Sequence, residues 1–481
     1  MVQYEIKKNK AFPAGEFSYD LRSLAQGFYP ELACQILERE EWAEDRGFPI
    51  KCMVDGCVIL DDTVPEDYTK NSVKAKVYQA FVKKTGRELP WGILTGIRPA
   101  KIPFRMMRDG MRREDILISL REDYLLSWGK VKLAYDVAAK EYELTREFDH
   151  RNSYNLYVGI PFCPSICQYC SFSSYDYEIY KDKVDSYLQA LKKEIAVMAE
   201  MAAREQKRLQ TIYIGGGTPT SLNEGQLQFL MDMLYQYLPM AEIAEFTVEA
   251  GRPDSISEEK LRILKKAGVT RISINPQSMK QGTLDLLGRR HSVAQVKKVF
   301  RLARKLGFDN INMDVIIGLP EEDEVDFTGT VMQLHELDPD SVTVHTLVIK
   351  RASRMRREQF EQGGAMYPED TLISVLQRTS GEMLRSYGYE PYYMYRQKNK
   401  AGSSYNTNQE NVAYARAGKE CLYNIFIMEE LETIVAVGSG GSTKYVIHDE
   451  DRMERIENVK SVDDYISRID EMIERKKQLW H

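Results

Sequence analysis

The stretch GIPFCPSICQYCSF (residues 159–172) sets Cys163, Cys167 and Cys170 within eight positions, in a chain holding seven cysteines among 481 residues. Thiols at C-x3-C-x2-C spacing can close a disulfide, bind zinc, or carry iron and sulfide. The opening MVQYEIKKNK is polar and strand-like, without an apolar core or small-residue cleavage site, and does not read as a secretory signal. The expected location is cytoplasmic. Thiols stay reduced there, and clustered cysteines serve as ligands or catalysts more often than as disulfides.

Zinc takes four ligands, and structural zinc sites are closed, with cysteines in pairs such as C-x2-C. No fourth Cys or His lies near the triplet; the next His in the chain is His291. Pro161 and Pro164 keep the segment an irregular loop able to wrap a compact cluster. A [4Fe–4S] cube needs four ligands. Three thiolates therefore leave one iron open to a non-protein ligand. The competing reading is three incidental cysteines in a loop.

The elements around the triplet must position it. Length suits about three domains of roughly 150 residues, and 43% hydrophobic with 29% charged residues can build ordinary cores. The formal net charge of −6 disfavours a nucleic-acid partner, which needs a concentrated basic face. No window reaches the ~18 apolar residues needed to span a bilayer. No internal repeat or low-complexity tract is present.

Residues 1–150 read as an α+β domain of unassigned role. YEIKK and IKCMVDGCVILDD alternate like strands, whereas DYTKNSVKAKVYQAFVKKTG and the run from REDILISL to ELTREF have helical spacing. LPWGILTGIRPAKIP between them reads as loop. The polar EFDHRNSYN marks the boundary. In residues 151–385, NLYVGI, TIYIGGG, EFTVEAG, RISIN, NINMDVIIG and SVTVHTLVI alternate with helical stretches. Six βα units in series predict an α/β fold with a parallel sheet and right-handed crossovers. Without a dinucleotide fingerprint after the first strand, a partial or full TIM-type barrel is favoured. Its chemistry would sit on loops after the strand C-termini, where the triplet lies. Residues 386–481 read as a C-terminal extension covering the active-site face, with LYNIFIMEELETIVAVGSGGSTKYVI as a hairpin leading into a Gly-rich turn.

C-x3-C-x-(aromatic)-C after the first strand of such a series resembles the signature of radical S-adenosylmethionine (SAM) enzymes. LYVGIPFCPSICQYC, IYIGGGTPTSL, VEAGRPD, INPQSM…LLGRRH and NINMDVIIGLPEE resemble, in order, blocks of the oxygen-independent coproporphyrinogen III oxidase group. LPWGILTGIRPAKI, KRASR and YRQKN resemble the HemZ-type coproporphyrinogen dehydrogenases and extend the likeness over nearly the whole chain. The resemblance implies a [4Fe–4S] cluster on Cys163, Cys167 and Cys170, with SAM on the open iron. It implies cofactor contacts at Tyr157, Tyr169, Gly216, Gly217, Thr218, Glu249, Gln277, Arg289 and Asp314. It also implies a tetrapyrrole substrate and a flavodoxin- or ferredoxin-like electron donor, with the chain acting as a monomer. No catalytic residue is assigned.

The residues admit physical readings of their own. GGGTP (215–219) lets backbone approach a ligand, or forms a tight turn; it lacks the Gly-Lys-Ser/Thr ending of a P-loop. Glu249, Gln277 and Asp314 stand near the ends of strands three, four and five and could converge over a barrel mouth. Arg289 could face a carboxylate or cap a turn. KRASRMRR (350–357) follows strand six, and Arg351 and Arg354, with Arg396 of MYRQKNK, could pair with propionates. His345, inside a strand, reads as a satisfied core histidine. Cys34, Cys52, Cys57 and Cys421 read as structural.

Two departures bear on function. Phe172 stands where the oxidases have a fourth cysteine, which puts decarboxylation in doubt and is shared with the related haem chaperones. Those chaperones carry an H-N-x-x-Y-W motif that YNIFIM and ENVAYA do not match. The leading expectation is oxidative decarboxylation of coproporphyrinogen III to protoporphyrinogen IX. The alternatives are a haem chaperone, or a radical enzyme acting on haem or another tetrapyrrole.

Overall fold

The structure is a computed structural model describing residues 1–7, 15–30, 32–39, 48–65, 68–170, 173–347, 370–397, 410–450, 452–477 and 479. By its internal contacts the chain divides into two compact units. One comprises Met1–Glu143 with Met394–Asn411, the other Leu144–Tyr393 with Val412–His481.

The first unit contains a four-stranded sheet. β1 (Val2–Lys7) pairs in parallel with β2 (Cys34–Arg39) and antiparallel with β3 (Phe48–Val54), which joins β4 (Cys57–Val64). Asp55 and Gly56, both at positive φ (47° and 79°), form the two-residue hairpin turn. The helix Lys70–Thr85 starts on a Thr69–Ser72 capping box and stops at left-handed Gly86. Two features depart from expectation. LPWGILTGIRPAKIP includes the start of a helix, Lys101–Arg108, and the long helical run breaks into Arg113–Glu122 and Trp128–Thr145, with Leu125 at φ 59° between them.

The second unit is built on six parallel strands in sequence order. These are β5 (Ser153–Ile160), β8 (Arg208–Gly216), β9 (Glu245–Gly251), β10 (Arg271–Ile274), β11 (Ile311–Ile317) and β12 (Ser341–Thr346). Two-residue strands β6 (Phe162–Cys163) and β7 (Tyr175–Asp176) form a separate ladder. Helices Tyr177–Arg204, Glu224–Tyr237, Glu258–Lys266, Val293–Lys305 and Glu324–Leu337 cross between the long strands. Each begins on a side-chain cap: Asp176, Asn223, Ser257, Ser292 or Asp323. The architecture is the α/β, six-unit partial barrel of the radical SAM fold, and among the described residues its sheet does not close.

The sheet continues past both edges. β13 (Glu390–Arg396) and β14 (Glu410–Ala415) lie beyond β12; β15 (Thr433–Val437), β16 (Ser442–Ile447) and β17 (Arg452–Glu457) lie beyond β5. The C-terminal region thus extends the sheet, a different placement from a layer over the active-site face. The edge strands of an open barrel need partners, and these supply them. LYNIFIM also differs from the expected hairpin, being the helix Leu422–Glu429, with Glu245 accepting from the Leu422 (2.7 Å) and Tyr423 (3.3 Å) amides at its start. A short apolar run does not distinguish strand from helix.

Pleating sends alternate residues to opposite faces, and the register defines the inner one. Asn155, Tyr157, Thr211, Tyr213, Glu245, Thr247 and Glu249 fall on it from β5, β8 and β9. Asn312, Asp314, Ser341, Thr343 and His345 fall on it from β11 and β12. The outer residues, such as Ile212, Ile214, Val248, Val315 and Val344, are buried and apolar. A polar inner face suits a barrel that encloses a ligand rather than a packed core. Among the described residues no helix is long and apolar enough to cross a membrane.

Candidate functional site

The cysteine loop leaves the C-terminal end of β5 and is fastened at its root. The β6–β7 ladder and the Tyr175 amide on Pro161 O (2.8 Å) clasp its ends. The GGGTP turn docks beneath it, with Gly217 N on Ile160 O (2.8 Å) and Thr218 N on Phe162 O (2.7 Å). This contact explains one glycine: a Cβ on Gly217 would lie 2.6 Å from Phe162 O and 2.9 Å from Ile160 O. Gly216 has φ 107°, which side chains disfavour. Gly217→Ala is expected to push the turn off the loop, costing about 1–3 kcal/mol and weakening SAM binding. Thermal denaturation and equilibrium dialysis check this; wild-type values in both would contradict it.

Cys163 and Cys167 are buried and Cys170 is half-buried. Thr218 Oγ1 donates to Cys163 Sγ at 3.5 Å, and Cys170 Sγ is 3.9 Å from Ser174 Oγ. Two buried guanidiniums converge on Cys167 Sγ: Arg252 Nη1 and Arg289 Nη1, each at 3.8 Å. Burial pushes the Cys163 thiol up to about 11, so its ionisation needs positive charge nearby. A metal cluster would supply it, and the two arginines add positive charge beside Cys167. Among the described residues no three His, Cys, Asp or Glu side chains gather around a single-ion position. A cube asks for no such gathering, since each thiolate binds a different iron. The donor set fits a cluster.

Arg252 was not anticipated from the sequence. It follows β9 directly, and Asp254 holds it by Nε–Oδ1 (3.0 Å) and Nη2–Oδ2 (2.6 Å) bonds. Its Nη1 donates to Ser165 O (2.9 Å) and Oγ (2.7 Å), locking the cysteine loop from the far side. Burial works against the Asp254 charge, but His291 at 3.7 Å and the hydrogen-bonded Arg252 guanidinium hold its carboxyl well below the usual range. The signal was present in VEAGRPD: an Arg and an Asp at a strand's C-terminal end, on the cysteine side.

The other expected contacts divide into groups. Tyr157 stacks with Tyr213 (centroids 6.2 Å) and Tyr423 (6.3 Å), and its hydroxyl lies against Gly216. Glu249 accepts from Tyr213 OH at 2.5 Å; burial pushes its carboxyl up to about 7, with nearby Asp314 adding to the rise. Gln277 sits at φ 68°, bridged to β11 by its amide on Asp314 O (2.9 Å), and among the described residues its buried Oε1 has no hydrogen-bond partner. Tyr169 OH accepts from Arg289 Nη1 at 3.0 Å, its ring packed on Leu287, Ile316, Leu319 and Leu347. Asp314 accepts from Asn312 Nδ2 (2.7 Å) and lies 3.6 Å from His345. Burial would raise its carboxyl, and His345, Asn312 and Thr343 more than reverse that.

The substrate-side expectations fare differently. Arg351 and Arg354, with the rest of KRASRMRR, lie outside the described residues, as do Phe172 and Lys398. Arg396 belongs to the first unit, where Nη1 donates to Leu94 O (2.5 Å) and the guanidinium lies 5.5 Å over the Trp91 ring. Burial lowers its pKa to about 10. Arg396 is thus engaged within its own unit.

Residues 157–334 match the radical SAM superfamily. The chain is 37% identical over 409 residues to the oxygen-independent coproporphyrinogen-III oxidase-like protein HemZ of Bacillus subtilis, covering 85% of this chain and 80% of the relative. It belongs to this HemZ-like group of the radical SAM superfamily. It is also 42% identical over 197 residues to the haem chaperone HemW of B. subtilis, covering 41% of this chain and about half (51%) of that relative. Among solved structures, the Escherichia coli coproporphyrinogen III oxidase HemN shares the fold, with TM-score 0.54 and 23% identity over 67% of this chain and 70% of that one. As a radical SAM protein the chain takes a [4Fe–4S] cluster and SAM. The two arginines on Cys167 and the orphan Gln277 oxygen suit that pair of ligands, one anionic at its thiolates and one rich in donors.

Proposed function

We propose that the protein decarboxylates two propionates of coproporphyrinogen III to vinyl groups, giving protoporphyrinogen IX without oxygen. In this reading Cys163, Cys167 and Cys170 ligate the cluster. When bound, the cluster and SAM supply a 5′-deoxyadenosyl radical able to take a hydrogen atom from a propionate β-carbon. Each resulting substrate radical then loses CO2 and passes one electron to an external one-electron acceptor, leaving the vinyl group.

The chain's own residues prepare that chemistry. Arg252 and Arg289 offset negative charge at Cys167, and Arg289 also fixes Tyr169. The Gly216–Gly217 turn sets the loop's height. Gln277 Oε1 and Glu249 offer acceptors to ribose hydroxyls or the SAM ammonium. Thr218 orients Cys163, and Tyr157 with Tyr213 and Tyr423 forms the wall beneath. A flavodoxin- or ferredoxin-like protein would deliver the reducing electron, in the cytoplasm.

One observation supports the oxidase reading over the chaperone: similarity to the HemZ-like relative covers 85% of the chain, against 41% and 56% for the B. subtilis and E. coli HemW proteins. The 42% identity with HemW within its matched span favours the second reading, a haem chaperone. Anaerobic incubation with coproporphyrinogen III or with haem separates them. Vinyl products support the first, and stoichiometric haem binding without turnover supports the second.

If KRASRMRR recognises propionates, Arg351→Ala or Arg354→Ala should weaken coproporphyrin binding roughly ten- to hundredfold. SAM cleavage should persist. Arg→Lys should recover only part, because the ammonium lacks the planar fork. Comparing affinity for coproporphyrin with that for its tetramethyl ester checks this; an unchanged preference in the variants would show these arginines to be surface charge.

A further inference from the structure

His345 is not the satisfied core histidine its place in a strand suggests. It is the last inner-facing residue of β12, one step above Thr343, which pairs with Asp314. Its Nε2 stands 3.6 Å from Asp314 Oδ2, and its side chain is 29% exposed. The outer residues of the same strand, Val342 and Val344, are buried, so the exposed part of His345 belongs to the barrel interior. No residue with a described position bonds its second ring nitrogen, Nδ1. A carboxylate beside one imidazole nitrogen orients the ring and favours the imidazolium form, in which the other nitrogen also carries a proton to donate. Asp314 occupies that supporting place, with its other oxygen held by Asn312.

The surroundings indicate what Nδ1 would meet. Glu249 and Asp314 both face this end of the interior, and His345 acts electrostatically on each of them. A third acidic group entering here would be repelled unless a cationic donor received it. Beyond Leu347, whose amide bonds Ile317 O (3.0 Å), the sequence runs through Val348 and Ile349 to KRASRMRR. In the sequence His345 lies five positions before that basic stretch.

We propose that His345, oriented by Asp314, contacts the substrate directly, its Nδ1 donating to a propionate carboxylate of the tetrapyrrole inside the barrel. This rests on the tetrapyrrole reading above. It makes His345 a specificity residue for carboxylate-bearing tetrapyrroles, with Asp314 a positioning residue acting through it.

The test uses reconstituted full-length protein carrying His345→Gln or His345→Ala. Cluster absorbance and SAM cleavage without tetrapyrrole should stay within about twofold of wild type. Affinity for coproporphyrin, read by fluorescence quenching, should fall roughly ten- to hundredfold. Affinity for the tetramethyl ester should be unchanged, and added imidazole should partly restore acid binding to His345→Ala. Three results would overturn the proposal: wild-type acid preference in both variants, loss of SAM cleavage in step with binding, or loss of a haem axial-ligand band with acid preference intact. If wild type itself binds no tetrapyrrole, the function reading fails first and this inference falls with it.

Discussion

Replacing Cys163, Cys167 or Cys170 by Ala is expected to abolish cluster absorbance and SAM cleavage together. Three thiolates are the minimum that hold a [4Fe–4S] cube with one iron open, and removing one leaves a second iron without a protein ligand. The effect should be far larger than any loss of fold stability. The loop is held from outside the triplet, by the β6–β7 ladder, Gly217 on Ile160 O, and Arg252 on Ser165. Far-ultraviolet circular dichroism should therefore stay near wild type while iron and sulfide content collapse. A triple variant that retained about four irons per chain after reconstitution would contradict the assignment.

Glu194→Ala should bring the largest loss of stability. Glu194 and Lys476 form a fully buried ion pair, joined by hydrogen bonds to Glu194 from Tyr465 OH (2.5 Å), Asn458 Nδ2 (2.9 Å) and Gly438 N (2.9 Å). Burial already pulls the Lys476 amine below its usual range, and Glu194 offsets part of that. Removing the carboxylate leaves a buried ammonium with Ala436 O as its one remaining hydrogen-bond partner among the described residues. Breaking such a pair costs about 3–5 kcal/mol. The damage should reach the active end of the barrel, because the Gly438 turn abuts Gly159, whose carbonyl accepts from Tyr187 OH (2.6 Å). Denaturant titration monitored by tyrosine fluorescence measures the loss. The double variant Glu194→Leu, Lys476→Met should recover most of it, since a packed apolar pair removes both charges. A Glu194→Ala loss below about 1 kcal/mol would show that the pair is solvated after all.

The barrel was legible because its strands are short β-rich runs separated by well-capped amphipathic helices, each written locally. The triplet was legible because its spacing is chemically specific. What escaped has a common cause: its meaning depends on which face of an element ends up inside. His345 sits in a strand whose other face carries Val342 and Val344, a pattern that fits a solvent-facing polar side as well as a polar barrel interior. Only the register, with Thr343 beside Asp314, distinguishes them. Leu422–Glu429 is apolar enough for either a strand or a buried helix; what makes it a helix is Glu245, more than 170 positions earlier, capping its amides. Arg252 was hidden because its sulfur neighbour comes from a loop 85 positions away. Gly217 was read as room for a ligand, and in the fold it first of all makes room for the backbone of the cysteine loop.

The most direct measurement is anaerobic turnover of coproporphyrinogen III by the reconstituted protein with SAM and a low-potential reductant, with tetrapyrroles and 5′-deoxyadenosine quantified together by mass spectrometry. The expected result is a monovinyl intermediate followed by protoporphyrinogen IX, with one 5′-deoxyadenosine and one CO2 formed for each vinyl group. SAM cleavage with coproporphyrinogen left intact, alongside stoichiometric binding or consumption of haem, would contradict it.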